Sequence, residues 1–254
     1  GAQVPDVKPQ PDPSLIAGVF PPIGLNDCMI FLPEAPDAMP GPDCTYGDLE
    51  AETTIVLAGG SHIEPFIVPL DKLGKEHHFK VATFVRQECP LVVGGPLDPA
   101  NDIVSPECAE WGENAMQEII NLQPDLLVST STRPAGHAGD GRVSADYVPD
   151  AYANLWQRLA ELGIPFVGLR DNPWMFTPTG EPMDPNLCVV AGYSEHACSM
   201  AADMVYAPKD PAAYFLDGAY AQWEIDTAGW YCVDGLCPPQ IGNVYIYRDQ
   251  NHIS

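Results

Sequence analysis

Five short runs of consecutive, mostly apolar residues restrict this chain to an α/β architecture. They are Thr53–Ala58 (TTIVLA), Phe79–Val85, Asp125–Ser129 (DLLVS), Ile164–Leu169 and Asn243–Tyr247 (NVYIY). Unbroken apolar runs of this length suit strands buried on both faces. Segments with helical spacing separate them. Ile63–His77 repeats apolar residues at Phe66, Ile67, Leu70 and Leu73, and Glu107–Leu122 at Trp111, Ala115, Ile119 and Leu122. Ala151–Leu162 ends at Gly163, a suitable C-terminal cap, and Cys198–Ala207 reads as a short helix. Pro65 suits a first helical turn, whereas Pro69 fits poorly further in. The alternation predicts a three-layer αβα sandwich with a parallel sheet. In such sheets, sites form at the carboxyl ends of strands. Three segments stand there: Gly59–His62, Ser129–Arg133 and Arg248–His252, the last read as following the final strand.

The 254 residues, 46% of them hydrophobic, suffice for one large domain. Residues 1–23, rich in proline, are expected to be a linker from an upstream, membrane-bound region, with the domain itself at 24–254. Acidic residues outnumber basic ones 35 to 11, for a net charge of -24. That charge excludes a nucleic-acid partner and opposes docking on anionic lipid. Eight cysteines fall in sequence-local pairs: Cys28/Cys44, Cys89/Cys108, Cys188/Cys198 and Cys232/Cys237. Sequence alone leaves roughly a hundred connectivities open, although each local pair flanks a loop rich in Pro, Gly or Asp. The absence of CxxC, and of histidine at ligand spacing, argues against zinc, so no metal is expected. Disulfides imply an oxidising space outside the cytoplasm.

Gly59-Gly60-Ser61-His62 puts a serine where a strand turns towards a helix. Glycine permits the sharp turn, and N–H groups at a helix start can face a developing oxyanion. A serine hydroxyl needs a base, and a histidine needs a carboxylate to fix its tautomer. Asp249-Gln250-Asn251-His252 supplies both at a spacing that lets them share one face of a turn.

A first strand opening into G-x-S-H and a last strand closing into D-x-x-H resembles the SGNH hydrolase family. The chain is similar, in particular, to the extracytoplasmic SGNH domain attached to acyltransferase-3 membrane proteins, which O-acetylate envelope glycans. The stretches TTIVLAGGSHIEPF, FKVATFVRQECP, CAEWGENAMQEIINLQPDLLVSTSTR and CPPQIGNVYIYRDQNHIS carry the likeness, from about Cys28 to the end. The resemblance implies an SGNH (flavodoxin-like) fold. It makes Ser61 the nucleophile, His252 the base and Asp249 its orienting acid. It implies the disulfides Cys28–Cys44, Cys89–Cys108, Cys188–Cys198 and Cys232–Cys237. Its oxyanion hole would draw on the Gly60–Ser61 turn, on Gly94 or Gly95, and on an asparagine after the third strand. Here that third segment reads STSTRP, leaving Ser131, Thr132 or Arg133 as the donor. Gly60 stands where the family carries aspartate.

The implied activity moves an acyl group, acetyl above all, through an acyl-serine to a hydroxyl of a cell-envelope glycan. No cofactor is needed beyond an acyl ester or thioester donor. The implied partner is an upstream acyltransferase-3 membrane domain, fused or separate. Two other readings use the same residues: an extracellular carbohydrate or lipid acetylesterase, and a catalytically weakened glycan-binding domain. Outside these motifs, His62 reads as a structural hydrogen-bonding residue and Trp174 as a packing residue. His137 reads as a surface position of a glycine-rich loop.

Overall fold

The computed structural model describes residues 4–94, 105–135 and 144–254. Gly95 and His137 therefore lie outside the described residues, and no side chain is described at 135 or 144. The central sheet has seven strands: β1 (Met29–Ile30), β2 (Thr45–Gly47), β3 (Thr54–Gly59), β4 (Lys80–Arg86), β5 (Leu126–Thr130), β6 (Phe166–Leu169) and β7 (Gln222–Ile225). Their order is β1-β4-β3-β5-β6-β7, all parallel, with β2 running antiparallel against the start of β4. The chain passes from β3 to β4 on one side and then returns to place β5 on the other. The carboxyl end of β3 is therefore a switch point of the sheet, the usual place for a crevice.

Alternate residues of each strand feed two cores. On one face Val56, Ala58, Leu127 and Phe166 pack under α2 (Pro106–Leu122) and α3 (Asp150–Leu162), through Trp111, Ala115, Ile119, Leu155 and Leu159. On the other, Leu57, Val81, Val85 and Val128 pack with Ile63 and Ile67 of the segment that leads into α1 (Ile67–His77). Gly112 lets α2 approach closely: a Cβ there would lie 2.0 Å from the Val92 carbonyl oxygen. Beyond α1 this second face carries an open apolar groove of about 830 Å³, floored by Ile55, Leu126, Val167 and Ile225.

Four disulfides close as paired in sequence order, Cys28–Cys44, Cys89–Cys108, Cys188–Cys198 and Cys232–Cys237. They place the domain outside the cytoplasm. No described helix is long and apolar enough to cross a membrane. The proline-rich start lies along the body: Gln10 bridges Val244, and Ile16 is buried.

Three expectations need correction. Asn243–Tyr247 is not a strand of the central sheet; only Val244–Tyr245 is extended, in a hairpin with Gln240–Ile241. The last sheet strand is β7 (QWEI), at an edge of the sheet, where Gln222 is buried and Trp223 and Ile225 are exposed. Cys198–Ala207 is not a helix: Met200–Ala201 pairs with Leu236–Cys237, and a single 3-10 turn follows. Pro69 is comfortable, because α1 begins at Ile67 and leaves Pro69 in its first turn, where no N–H is required.

Candidate active site

Strand β3 ends at Gly59, whose φ of 147° favours glycine and turns the chain away from β5. Gly60 then passes close to the Cys89 carbonyl, and Ser61 emerges at the switch point. The segment that follows is a turn and a 3-10 helix (Glu64–Phe66), so α1 starts six residues after Ser61. The expected helix N-terminus beside the hydroxyl is thus displaced. Beneath the turn, Glu64 is buried, accepts the Gly24 N–H at 2.9 Å and faces Arg248 at 3.8 Å. Burial pushes its carboxyl up to about 7, only partly offset by Arg248 and the Gly24 N–H.

Ser61 Oγ lies 2.7 Å from His252 Nε2. His252 Nδ1 lies 2.8 and 3.0 Å from the two carboxylate oxygens of Asp249. Asp249 Oδ1 also accepts the backbone N–H groups of Asn251 and His252, both at 2.9 Å. Burial alone would raise the Asp249 pKa. The hydrogen bonds from His252 and the two backbone donors outweigh it and hold the group at about 2. An ionised carboxylate keeps the imidazole proton on Nδ1, which leaves the Nε2 lone pair for the serine hydroxyl.

No sheet strand carries this tail turn. It is held from outside by the loop after β6: Asn172 Nδ2 donates to the Asn251 carbonyl at 2.8 Å, and Met175 N–H to the Gln250 carbonyl at 2.7 Å. Arg170 anchors that loop through buried hydrogen bonds to Asp146 at 2.8 and 3.0 Å. Ser61 and His252 open into a cleft of about 400 Å³, bordered also by Gly60, His62, Arg133, Asp171 and Trp174.

A model of the family described as "SGNH domain (fused to AT3 domains)" matches residues 28–254. The chain belongs to this family. Among solved structures, the periplasmic domain of a lipopolysaccharide acetyltransferase from Salmonella ser. Paratyphi A is similar at 13% identity. That similarity covers 81% of this chain and 79% of the other, with a TM-score of 0.49. No curated protein matches the sequence.

This SGNH domain brings Gly60, Ser61, Arg133, Asp249 and His252 together, but not Gly94, Ser131 or Thr132, which were also considered for the oxyanion hole. Gly94 borders a separate depression with Asn154, Gln157 and Arg158, and its N–H is taken by the Glu113 carboxylate at 2.8 Å. Ser131 and Thr132 are fully buried below the cleft. Thr132 Oγ1 accepts the Asp171 N–H, and the Ser131 Cβ lies against Gly168. Arg133 reaches the cleft, its guanidinium 5.2 Å from the Trp174 ring centre.

His62 makes the structural hydrogen bond expected of it, and Trp174 does more than pack. His62 Nδ1 lies 2.8 Å from Asp171 Oδ1, the Trp174 indole N–H donates to Asp171 Oδ2 at 3.1 Å, and all three side chains line the cleft. Asp171 was missed in the sequence, although it follows the strand Ile164–Leu169. The strand-end rule that singled out Ser61 applies equally to Asp171-Asn172-Pro173-Trp174.

Proposed function

We propose that this SGNH domain transfers an acyl group, acetyl foremost, through an ester on Ser61 to a hydroxyl of a cell-envelope glycan. The reading rests on one observation, the unbroken hydrogen-bonded chain from Ser61 and His252, which border an open cleft, to Asp249. Membership of the family fused to AT3 domains supports a membrane-embedded partner that delivers the acyl donor.

In the first half-reaction His252 Nε2 takes the Ser61 proton as Oγ bonds to the donor's carbonyl carbon. The tetrahedral intermediate collapses, and the departing alcohol or thiol leaves with the proton from Nε2. In the second half, Nε2 takes the proton of the acceptor hydroxyl, whose oxygen bonds to the acyl carbon. The bond to Ser61 Oγ breaks, and Oγ recovers the proton. Asp249 stays ionised throughout and stabilises the imidazolium. The backbone N–H of Ser61 is the nearest candidate for the oxyanion, with Arg133 a charged side-chain candidate across the cleft.

A serine-directed fluorophosphonate tests the nucleophile. Peptide mapping should find the adduct on Ser61 alone, with no labelling of Ser61→Ala and strongly slowed labelling of His252→Ala. Labelling of Ser61→Ala at the wild-type rate would move the nucleophile elsewhere. Incubation with p-nitrophenyl acetate and glycan acceptors then separates transfer from hydrolysis: acetylated glycan supports the transferase, and acetate alone favours an esterase.

A further inference from the structure

The cleft contains a second histidine–carboxylate pair that the two half-reactions leave unused. His62 and Asp171 are 2.8 Å apart, with side-chain exposures of only 13% and 6%. Both Asp171 oxygens are fixed, Oδ1 by the Asn172 N–H at 2.9 Å and Oδ2 by Trp174 at 3.1 Å. A carboxylate held this way keeps the His62 proton on Nδ1 and turns the Nε2 lone pair outward. The ring borders the cleft, its centre 5.0 Å from that of His252 at an interplanar angle of 76°. Nε2 has no hydrogen-bond partner among the described residues, and it is not among the sealed polar atoms. A histidine that only braced the turn would have no reason to keep its second nitrogen open to the cleft. Two imidazoles in edge-to-face contact, each backed by an aspartate, give the cleft two hydrogen-bond acceptors on rings whose centres are 5.0 Å apart. A sugar ring presents adjacent hydroxyl donors.

We propose that His62, oriented by Asp171, binds the acceptor hydroxyl next to the one that is acylated, so that the site selects vicinal diols. The inference rests on the acyl-Ser61 reading and names its acceptor class. His62 Nε2 accepts a hydrogen bond from the neighbouring hydroxyl while His252 takes the proton of the attacking one. No proton passes through His62.

The test uses p-nitrophenyl acetate as donor and compares trans-1,2-cyclohexanediol with cyclohexanol as acceptors, reading the ratio of monoacetylated products. Wild type should favour the diol by about tenfold, the worth of one hydrogen bond to an oriented group. The ratio should fall towards the statistical value of about two in His62→Phe, which keeps a ring but no acceptor. It should recover in part in His62→Gln. Because the ratio is internal to each protein, a general loss of activity does not mimic the effect. The wild-type ratio alone decides if the Phe variant does not fold. No diol preference in wild type, or one that persists in His62→Phe, overturns the proposal. Acetyl-Ser61 that passes only to water also overturns it while leaving the nucleophile assignment intact. If mass spectrometry finds no acetyl on Ser61 and no transfer occurs, the acyl-serine reading itself has failed, and this inference falls with it.

Discussion

Replacing Glu64 by glutamine should flatten the pH dependence of stability in a defined window. Glu64 lies three residues after the serine, and its partner Arg248 directly precedes Asp249, so the pair joins the two halves of the site. Its side chain is 1% exposed, and burial raises its pKa from 4.5 to about 7. The native state therefore holds this proton longer than the unfolded chain does. The associated stabilisation is complete below pH 4.5 and is lost as pH rises through 7. A shift of that size corresponds to about 3 kcal/mol. For a chain of this length that is roughly 6–12 °C in Tm. Glu64→Gln retains an acceptor for the Gly24 N–H but cannot ionise. Asp210, raised by burial to about 6, titrates in the same direction and leaves a residual slope in both proteins. Thermal unfolding followed by circular dichroism from pH 4 to 8.5, with disulfides intact, should show the variant losing less than wild type. Superimposable Tm–pH curves would refute the assignment of a buried, late-ionising carboxyl to this position.

Asp249→Asn keeps an oxygen for the Asn251 and His252 N–H groups but puts a donor against His252 Nδ1. The reversed tautomer cannot accept the serine proton, so esterase turnover should fall about 10⁴-fold with little change in Tm, measured with p-nitrophenyl acetate. Gly112→Ala forces a methyl against the Val92 carbonyl and should cost about 1–3 kcal/mol in urea unfolding. A double Cys89→Ala, Cys108→Ala variant should lose about 3 kcal/mol in the same assay. It should also slow fluorophosphonate labelling, because Cys89 and Pro90 back the Gly60 turn.

The sequence made the middle of the sheet legible for a physical reason. No residue of strands β3 to β6 is exposed, so their runs are mostly apolar and stand out from any helical pattern. The edge strands lack that signature: Met29–Ile30 is two residues long, and Gln222–Ile225 mixes polar and apolar types. Tyr247 misled because it is apolar and fully buried outside the sheet, in a cluster with Trp174, Met175 and Val205. Ser61, Asp249 and His252 were readable because their chemistry is specific and their spacing is short. Their convergence was expected from a final sheet strand, whereas the loop after β6 provides it through Asn172 and Met175. That support joins Asn172 to Asn251, 79 positions apart, and the partnership of His62 with Asp171 spans 109, so neither leaves a local pattern.

The disulfides pair strictly in order of appearance, with separations of 16, 19, 10 and 5 residues and no interleaving. Bringing such close neighbours together costs little chain entropy. A polypeptide delivered from its N-terminal end meets each partner before the next pair arrives. Oxidation can thus keep pace with emergence, and the covalent framework need not await the ordering of the strands. Scrambled isomers would require a cysteine to bypass its nearest neighbour, so oxidative maturation has few wrong turns to correct.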